Sequence, residues 1–315
     1  MQVFEGVTEL LRQHPQGLSG TALTMGNFDG IHRGHQKLLE ILKQQAATLK
    51  VPMAVMTFQP HPMKILAPER DIFRLFSLRD QAEQLKNLGV QYLIREPFNL
   101  GLAKTSANDF LEKYLMQALR PKVFVVGHDF HFGKARSGDV RFLQSKASSF
   151  GFQVVQVAAY EILEKIVSSS RVRELLTIPD LTLVHELLGR NYSIEGVVEG
   201  GDGRGEKLGF PTANLSPPQG WPLPKGVYIT SVIHQDKNYP SITNVGLNPT
   251  FEDPSRPLRV ESFIFDLNKN IYGETIKVEF FKFLRIEKKF KDAKELVEQI
   301  QIDIKQAKEY WHESS

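Results

Sequence analysis

Two histidines three positions apart, His32 and His35, stand behind a glycine-containing turn in the run GNFDGIHRGHQ, residues 26–36. The run follows an apolar stretch that reads as a strand, and it opens a helical pattern. A glycine turn at the carboxyl end of a parallel strand lets an anion approach the backbone closely. The start of a helix adds N–H groups and the positive end of its dipole. At a spacing of three, both imidazoles can project from one side of that helix start, with Gly34 leaving room for a phosphate between them. Two imidazoles aimed at one phosphate can donate hydrogen bonds to oxygens that gain charge in a transition state. Taken alone, the same residues also fit a turn with two surface histidines, or a metal site for which no third ligand is evident.

Two further clusters carry charge and small donors. Ser168, Ser169, Ser170 and Arg171 combine hydroxyls with a planar guanidinium fork, a set suited to phosphate oxygens, although a helix cap followed by a basic turn has the same composition. In GGDGRGEKLGFPTANL, residues 200–215, glycines at 200, 201, 203, 205 and 209 let a loop wrap tightly, with backbone N–H groups available to a polyphosphate. Arg204 and Lys207 add positive charge. No GKS or GKT follows, so the run is not a Walker P-loop, and its β-rich surroundings do not suit a dinucleotide fingerprint. A glycine-rich hairpin is the alternative.

The elements that must hold these clusters change character along the chain. Apolar runs at 22–25, 53–58, 92–94, 123–126 and 152–157 read as buried strands, and 35–49, 78–88 and 107–119 carry apolar residues at helical spacing. That alternation predicts an α/β domain, a Rossmann-like parallel sheet covered on both faces, over residues 1–178. A helical segment, 173–189, follows, with a break at Pro179. Runs at 193–198, 227–233, 241–245, 258–267 and 275–283 are β-rich and separated by Gly, Pro, Asn and Asp, which predicts a small antiparallel β-barrel or sandwich over residues 179–315. Residues 217–224 read as a proline-rich loop, and 291–309 as a helix packed on the barrel.

Length and composition narrow the function classes. A chain of 315 residues with 41% hydrophobic and 24% charged residues suits two globular domains with cores of their own. Thirty-nine basic against 36 acidic side chains give a net charge of +3, too small by itself to imply a nucleic-acid or membrane partner. The absence of cysteine excludes disulfides, thiolate metal sites and a cysteine nucleophile. No signal peptide or apolar span is evident, so a cytoplasmic protein is expected. A homo-oligomer is compatible with the sequence.

On these motifs together the chain resembles the bacterial bifunctional riboflavin kinase/FAD synthetase family. The first half is similar through GNFDGIHRGHQ, TFQPHP at 57–62, GHDFHFG at 127–133 and SSSRVR at 168–173. The resemblance implies an adenylyltransferase in which His32 and His35 act on ATP phosphates, Gly26, Asn27, Phe28, Asp29, Gly127 and Asp129 bind ATP, and Ser168, Ser169 and Arg171 close over the phosphates. His61 would lie near the flavin. The second half is similar through GFPTAN, GVY at 226–228, NVGLNPTF at 244–251, VESFIFD at 260–266, YGE at 272–274 and FLR at 283–285. There the resemblance implies a riboflavin kinase with Glu261 as general base. Gly201, Gly203, Arg204, Lys207, Gly209 and Pro211 would bind ATP, and Thr212 and Asn214 would ligate magnesium. Riboflavin, FMN and ATP would be its small-molecule partners and FMN and FAD its products, with Mg2+ as cofactor. The chain departs from the family pattern at Phe263, where histidine is common, at Ser170, where threonine is usual, and at Asn191, where proline is usual. Other readings are an adenylyltransferase with a degenerate kinase half, and a flavin carrier without turnover.

Overall fold

The computed structural model describes residues 1–70, 72–201, 205, 208–217, 221–246, 258–267 and 269–313. The chain forms two compact units: Met1–Ile72 with Leu78–Ser168, and Phe73–Ser77 with Ser169–Ser315.

In the first unit, strands β1 (Gln2–Phe4), β2 (Thr21–Met25), β3 (Met53–Gln59), β4 (Tyr92–Pro97), β5 (Pro121–Gly127) and β8 (Gln153–Val157) make one sheet in the order β1-β4-β3-β2-β5-β8. Every pairing is parallel. All five residues of β2 are buried because successive side chains enter opposite cores. Leu23, Met25, Met56, Phe124 and Val126 join one core, and Ala22, Val55, Leu93, Val123 and Val125 join the other. The helix Arg33–Leu49 covers the second face with Leu38, Leu39, Leu42 and Ala46. Two short hairpins, β6 (His131–Phe132) with β7 (Gly138–Asp139) and β9 (Glu161–Ile162) with β10 (Lys165–Ile166), complete the strands of this unit.

The five expected strands and the first two expected helices are present. The third is different: Ala107–Asp109 passes into a π-helix, Phe110–Met116, whose wide turns are closed by bonds such as Gln117 N–H to the Glu112 carbonyl at 3.0 Å. Phe110, Leu111 and Leu115 still reach the core. The helix Val140–Phe150 was not evident from apolar spacing, because it buries only Val140 and Leu143. Its ends carry local signals instead: the Asp139 carboxylate accepts from Phe142 N–H at 2.7 Å, and Gly151 adopts a left-handed φ of 71°.

In the second unit, β11 (Tyr192–Val197), β12 (Thr212–Leu215), β13 (Gly226–His234), β14 (Lys237–Gly246), β15 (Arg259–Ile264) and β16 (Thr275–Arg285) pair in the order β11-β16-β13-β14-β15-β12, all antiparallel. The sheet curls until Glu199, just past β11, donates its N–H to the Asn214 carbonyl of β12 at 2.9 Å. The expected strand at 258–267 is shorter, because Asp266 turns with a left-handed φ of 58°. The expected 173–189 segment resolves into the helices Ser169–Leu175 and Thr182–Leu188, and Pro179 lies in the break. Trp221, in the described part of the proline-rich loop, is buried and donates Nε1–H to the Tyr192 hydroxyl at 2.8 Å. Thr230, Ser241, Thr243 and Ser262 are fully buried and satisfy one another through hydrogen bonds of 2.7–2.8 Å.

The C-terminal helix Ala293–Glu313 packs Ile304, Ala307, Tyr310 and Trp311 against Ile229, Ile242, Phe265 and Phe281 of the barrel. Arg285, the last residue of β16, grips Asp303 of this helix with Nε bonds of 3.0 and 3.1 Å and an Nη2 bond of 2.7 Å. Gln299 donates to the same carboxylate at 3.0 Å. Asp303 is 2% exposed and the Arg285 side chain 22%, so removing the carboxylate leaves a half-buried cation without its main partner. Asp303→Ala is expected to destabilise the unit by about 2–3 kcal/mol, read as a lower urea midpoint. An unchanged midpoint would mean that apolar contacts alone hold the helix.

Burial pushes the His185 imidazole below its ordinary 6.5; a hydrogen bond to the Phe280 backbone and the nearby Asp180 carboxylate partly counter this. The unfolded chain therefore binds the proton more readily than the folded one. His185's contribution is fully present above about pH 6.5 and is lost as pH falls through the depressed folded value. Unfolding midpoints followed from neutral pH down to about pH 5 are expected to fall, and to fall less in His185→Gln.

Candidate active sites

Strand order places the first site. The sheet grows one way from β2 through β3 and β4, and the other way through β5 and β8. The crevice outside the carboxyl ends of β2 and β5 is thus the topological switch point, where open α/β sheets bind ligands. Gly26–Asp29 follow β2 and Gly127–Asp129 follow β5, so two of the expected nucleotide segments flank that crevice. His61 follows β3, the other neighbour of β2.

His32 is buried, 6% exposed, and is the N-cap of the helix Arg33–Leu49: its Nδ1 accepts from His35 N–H at a long 3.4 Å. The two imidazoles stack with centroids 3.8 Å apart and planes 16° from parallel, so they do share one side of the helix start. Phe28 packs on His35 at 5.0 Å. An imidazole can accept at Nδ1 in this way only with its proton on Nε2. Gly34 has a more local reason than room for a phosphate: a Cβ there would stand 3.2 Å from His32 Nδ1 and 3.3 Å from Cε1, pressing on the stacked ring.

His61 caps the short helix Pro62–Leu66, accepting from Met63 N–H at 3.2 Å. Asn27 is exposed and Asp29 buried, while Asp129 is open to solvent. Phe130 and Phe132 of the same motif pack into the core. Ser168, half-buried, ends the first unit; Ser169 and Arg171 lie on the helix Ser169–Leu175, which belongs to the second. Two residues that spacing did not single out brace the turn after β2. The Thr57 hydroxyl and the Gln81 amide both donate to the Asn27 carbonyl. No local signal marks Gln81, which lies on the helix Leu78–Asn87.

In the second unit Thr212–Asn214 of the PTAN motif, with Leu215, form β12, a strand not among those expected from the sequence. Register makes the site. Asn214 faces Glu261 across β12 and β15, and Glu261 faces Asn244 across β15 and β14. Directly opposed residues point to the same face, so the amide, the carboxylate and a second amide form one row. Thr212 and Phe263 lie two residues along on that face, opposite each other. Asn244 went unnoticed as a site residue because only strand pairing reveals it.

Gly201 and Gly205, described residues of the glycine run, lie against this row. A Cβ at Gly201 would collide with the Asn214 amide, and one at Gly205 would collide with the Phe210 carbonyl and stand 3.4 Å from Thr212 Oγ1. Gly209 has a left-handed φ of 85° and Pro211 is exposed. Gly203, Arg204 and Lys207 lie outside the described residues, as does the end of the 244–251 motif. Asn214 Nδ2 donates to the Thr212 carbonyl at 3.3 Å, which turns Oδ1 into the amide's available acceptor. Phe263 packs edge-on to Phe210 at 5.6 Å and to Phe265 at 5.7 Å, so this aromatic replacement extends an apolar cluster beside Thr212. Among the described residues no group of three or more His, Asp or Glu side chains is placed to hold a metal.

A switch-point edge capped by imidazoles and a barrel edge of oxygen donors under a glycine wrap define a class of enzyme that transfers phosphorus-containing groups. Comparison narrows the class. The family model for FAD synthetase matches residues 14–171 and that for riboflavin kinase matches 188–311. The bifunctional riboflavin kinase/FMN adenylyltransferase of Escherichia coli (strain K12) is 35% identical, over 99% of this chain and 98% of its own. That of Haemophilus influenzae is 36% identical, over 99% of this chain and 100% of its own. A crystal structure titled as a macrolide-efflux protein from Streptococcus pneumoniae aligns with a TM-score of 0.84 at 29% identity, covering 98% of both chains. Among the described residues of this chain, no helix is long and apolar enough to cross a membrane. The chain belongs to the bifunctional riboflavin kinase/FMN adenylyltransferase family.

Proposed function

We propose that this chain makes FAD from riboflavin in two ATP-dependent steps, each in its own domain: a kinase over residues 179–315 and an adenylyltransferase over residues 1–178. One observation carries the reading. Each half groups side chains suited to phosphoryl transfer, the stacked His32–His35 pair as donors in one and the Asn214–Glu261–Asn244 row, with its carboxylate base, in the other.

In the kinase step, Glu261 takes the proton of the riboflavin 5′-hydroxyl as that oxygen bonds to the γ-phosphorus of ATP; ADP leaves and FMN forms. The row supports this because a carboxylate held between two strand neighbours is placed before substrate arrives. Thr212 and Asn214 would hold Mg2+ together with phosphate oxygens, and the ion would neutralise charge on the group in transfer. Gly201, Gly203, Arg204, Lys207, Gly209 and Pro211 are read as the remaining ATP contacts.

In the adenylyl step, a phosphate oxygen of FMN attacks the α-phosphorus of a second ATP, the bond to the bridging oxygen breaks, and pyrophosphate leaves. No covalent enzyme intermediate is required, so the protein orients the reactants and stabilises charge. His32, through Nε2–H, and His35 donate to the phosphates. Gly26, Asn27, Phe28, Asp29, Gly127 and Asp129 line the nucleotide, Ser168, Ser169 and Arg171 are read as further phosphate donors, and His61 is read as a flavin contact. The setting is taken to be the cytoplasm.

Incubation of the intact chain with riboflavin, ATP and magnesium, followed by separation of the products, tests the reading. FAD is expected. FMN alone would mean an inactive first half, conversion of added FMN but not riboflavin would mean a degenerate kinase, and bound, unchanged riboflavin would mean a carrier.

A further inference from the structure

The carbonyl of Asn27 accepts two hydrogen bonds from outside its own loop, from the Thr57 hydroxyl at 3.1 Å and the Gln81 amide at 3.0 Å. The same amide nitrogen donates to the next carbonyl, that of Phe28, at 3.2 Å. Both donors are interior, Gln81 and Thr57 each being 2% exposed. The residue between the clamped peptides, Phe28, has a left-handed φ of 47°, and Gly30 and Ile31 continue the loop at 82° and 37°. Bulky residues persist in that region only where their surroundings over-determine it.

Both peptide bonds here are trans. In a planar trans peptide the C=O and N–H leave from opposite edges. Fastening the Asn27 and Phe28 carbonyls to Thr57 and Gln81 therefore turns the N–H groups of Phe28 and Asp29 away from those two side chains. Successive N–H groups around a left-handed residue form a concavity that binds anions. This one follows β2 at the switch point and precedes the His32 cap by three residues.

We propose that Gln81, assisted by Thr57, is a positioning residue for adenylyl transfer, its clamp on the Asn27 and Phe28 carbonyls aiming the N–H groups of Phe28 and Asp29 at the phosphates of ATP. The assignment rests on the adenylyltransferase reading above. Neither side chain touches substrate; both act through the backbone they hold.

The intact chain supplies its own control, because riboflavin phosphorylation can be measured beside FAD formation. Gln81→Leu is expected to lower kcat for FAD formation from FMN by on the order of tenfold or more, with KM for FMN and the kinase rate within about twofold of wild type. Thr57→Val is expected to lose less in the same direction, and Thr57→Ser, which keeps the hydroxyl, to recover most of that loss. A folded Gln81→Leu chain with wild-type kcat overturns the assignment. Should that variant fail to fold, the Thr57 pair decides: equal losses in Thr57→Ser and Thr57→Val overturn it as well. A wild-type chain that makes no FAD from FMN and ATP overturns the adenylyltransferase reading, and this assignment with it, so the two failures are told apart.

Discussion

A His32→Asn chain is expected to phosphorylate riboflavin at the normal rate while FAD formation from added FMN falls on the order of a hundredfold or more. The choice of asparagine matters because His32 has two roles. It caps the helix Arg33–Leu49 through Nδ1, and its ring is proposed above as a donor to the phosphates. Asparagine is among the best N-cap residues, so the helix keeps its cap while the imidazole ring is lost. In His32→Ala both roles go, and a cap loss of about 1 kcal/mol would be mixed into the result. The stacked ring of His35 also loses its neighbour in either variant, which adds to the effect on chemistry. Unfolding midpoints measured with the two rates separate these contributions. A normal FAD rate in a folded His32→Asn chain would reduce His32 to its capping role.

The reciprocal result is expected for Glu261→Gln: FMN formation falls by about 10²–10⁴-fold, and FAD made from added FMN is spared. Glutamine keeps the size and the strand position but cannot take the proton of the 5′-hydroxyl. Because Glu261 pairs in register with Asn214 on one side and Asn244 on the other, the variant preserves the row and changes only its one carboxylate. Normal kinase turnover in this variant would remove Glu261 as the base.

The sequence made the sheets legible where burial imposes a period. Strand β2 and the helix Arg33–Leu49 follow from continuous apolar runs and from apolar residues at helical spacing, and the barrel strands other than β12 follow from β-rich runs bounded by turn residues. Elements held by few buried residues were not legible: the helix Val140–Phe150 depends on its caps, and β1 is three residues at a sheet edge. The π-helical turns at Phe110–Met116 look like ordinary helix in sequence, since the pattern of apolar positions barely differs. At the sites, local motifs exposed His32, His35, Thr212, Asn214 and Glu261. Partners supplied by distant chain were hidden. Gln81 reaches Asn27 across 54 positions and Asn244 meets Glu261 only through strand pairing. The capping role of His32 was hidden too, because a histidine cap depends on ring geometry and not on residue order.

Two independent phosphotransfer centres in one polypeptide are best tested by following both flavin products in the two variants. Fed riboflavin with ATP and magnesium, the His32→Asn chain should accumulate FMN with little FAD. Given FMN, the Glu261→Gln chain should make FAD normally, yet it should leave riboflavin unconverted. Equal loss of FMN formation from riboflavin and of FAD formation from added FMN in either variant, with the chain folded, would contradict separate centres.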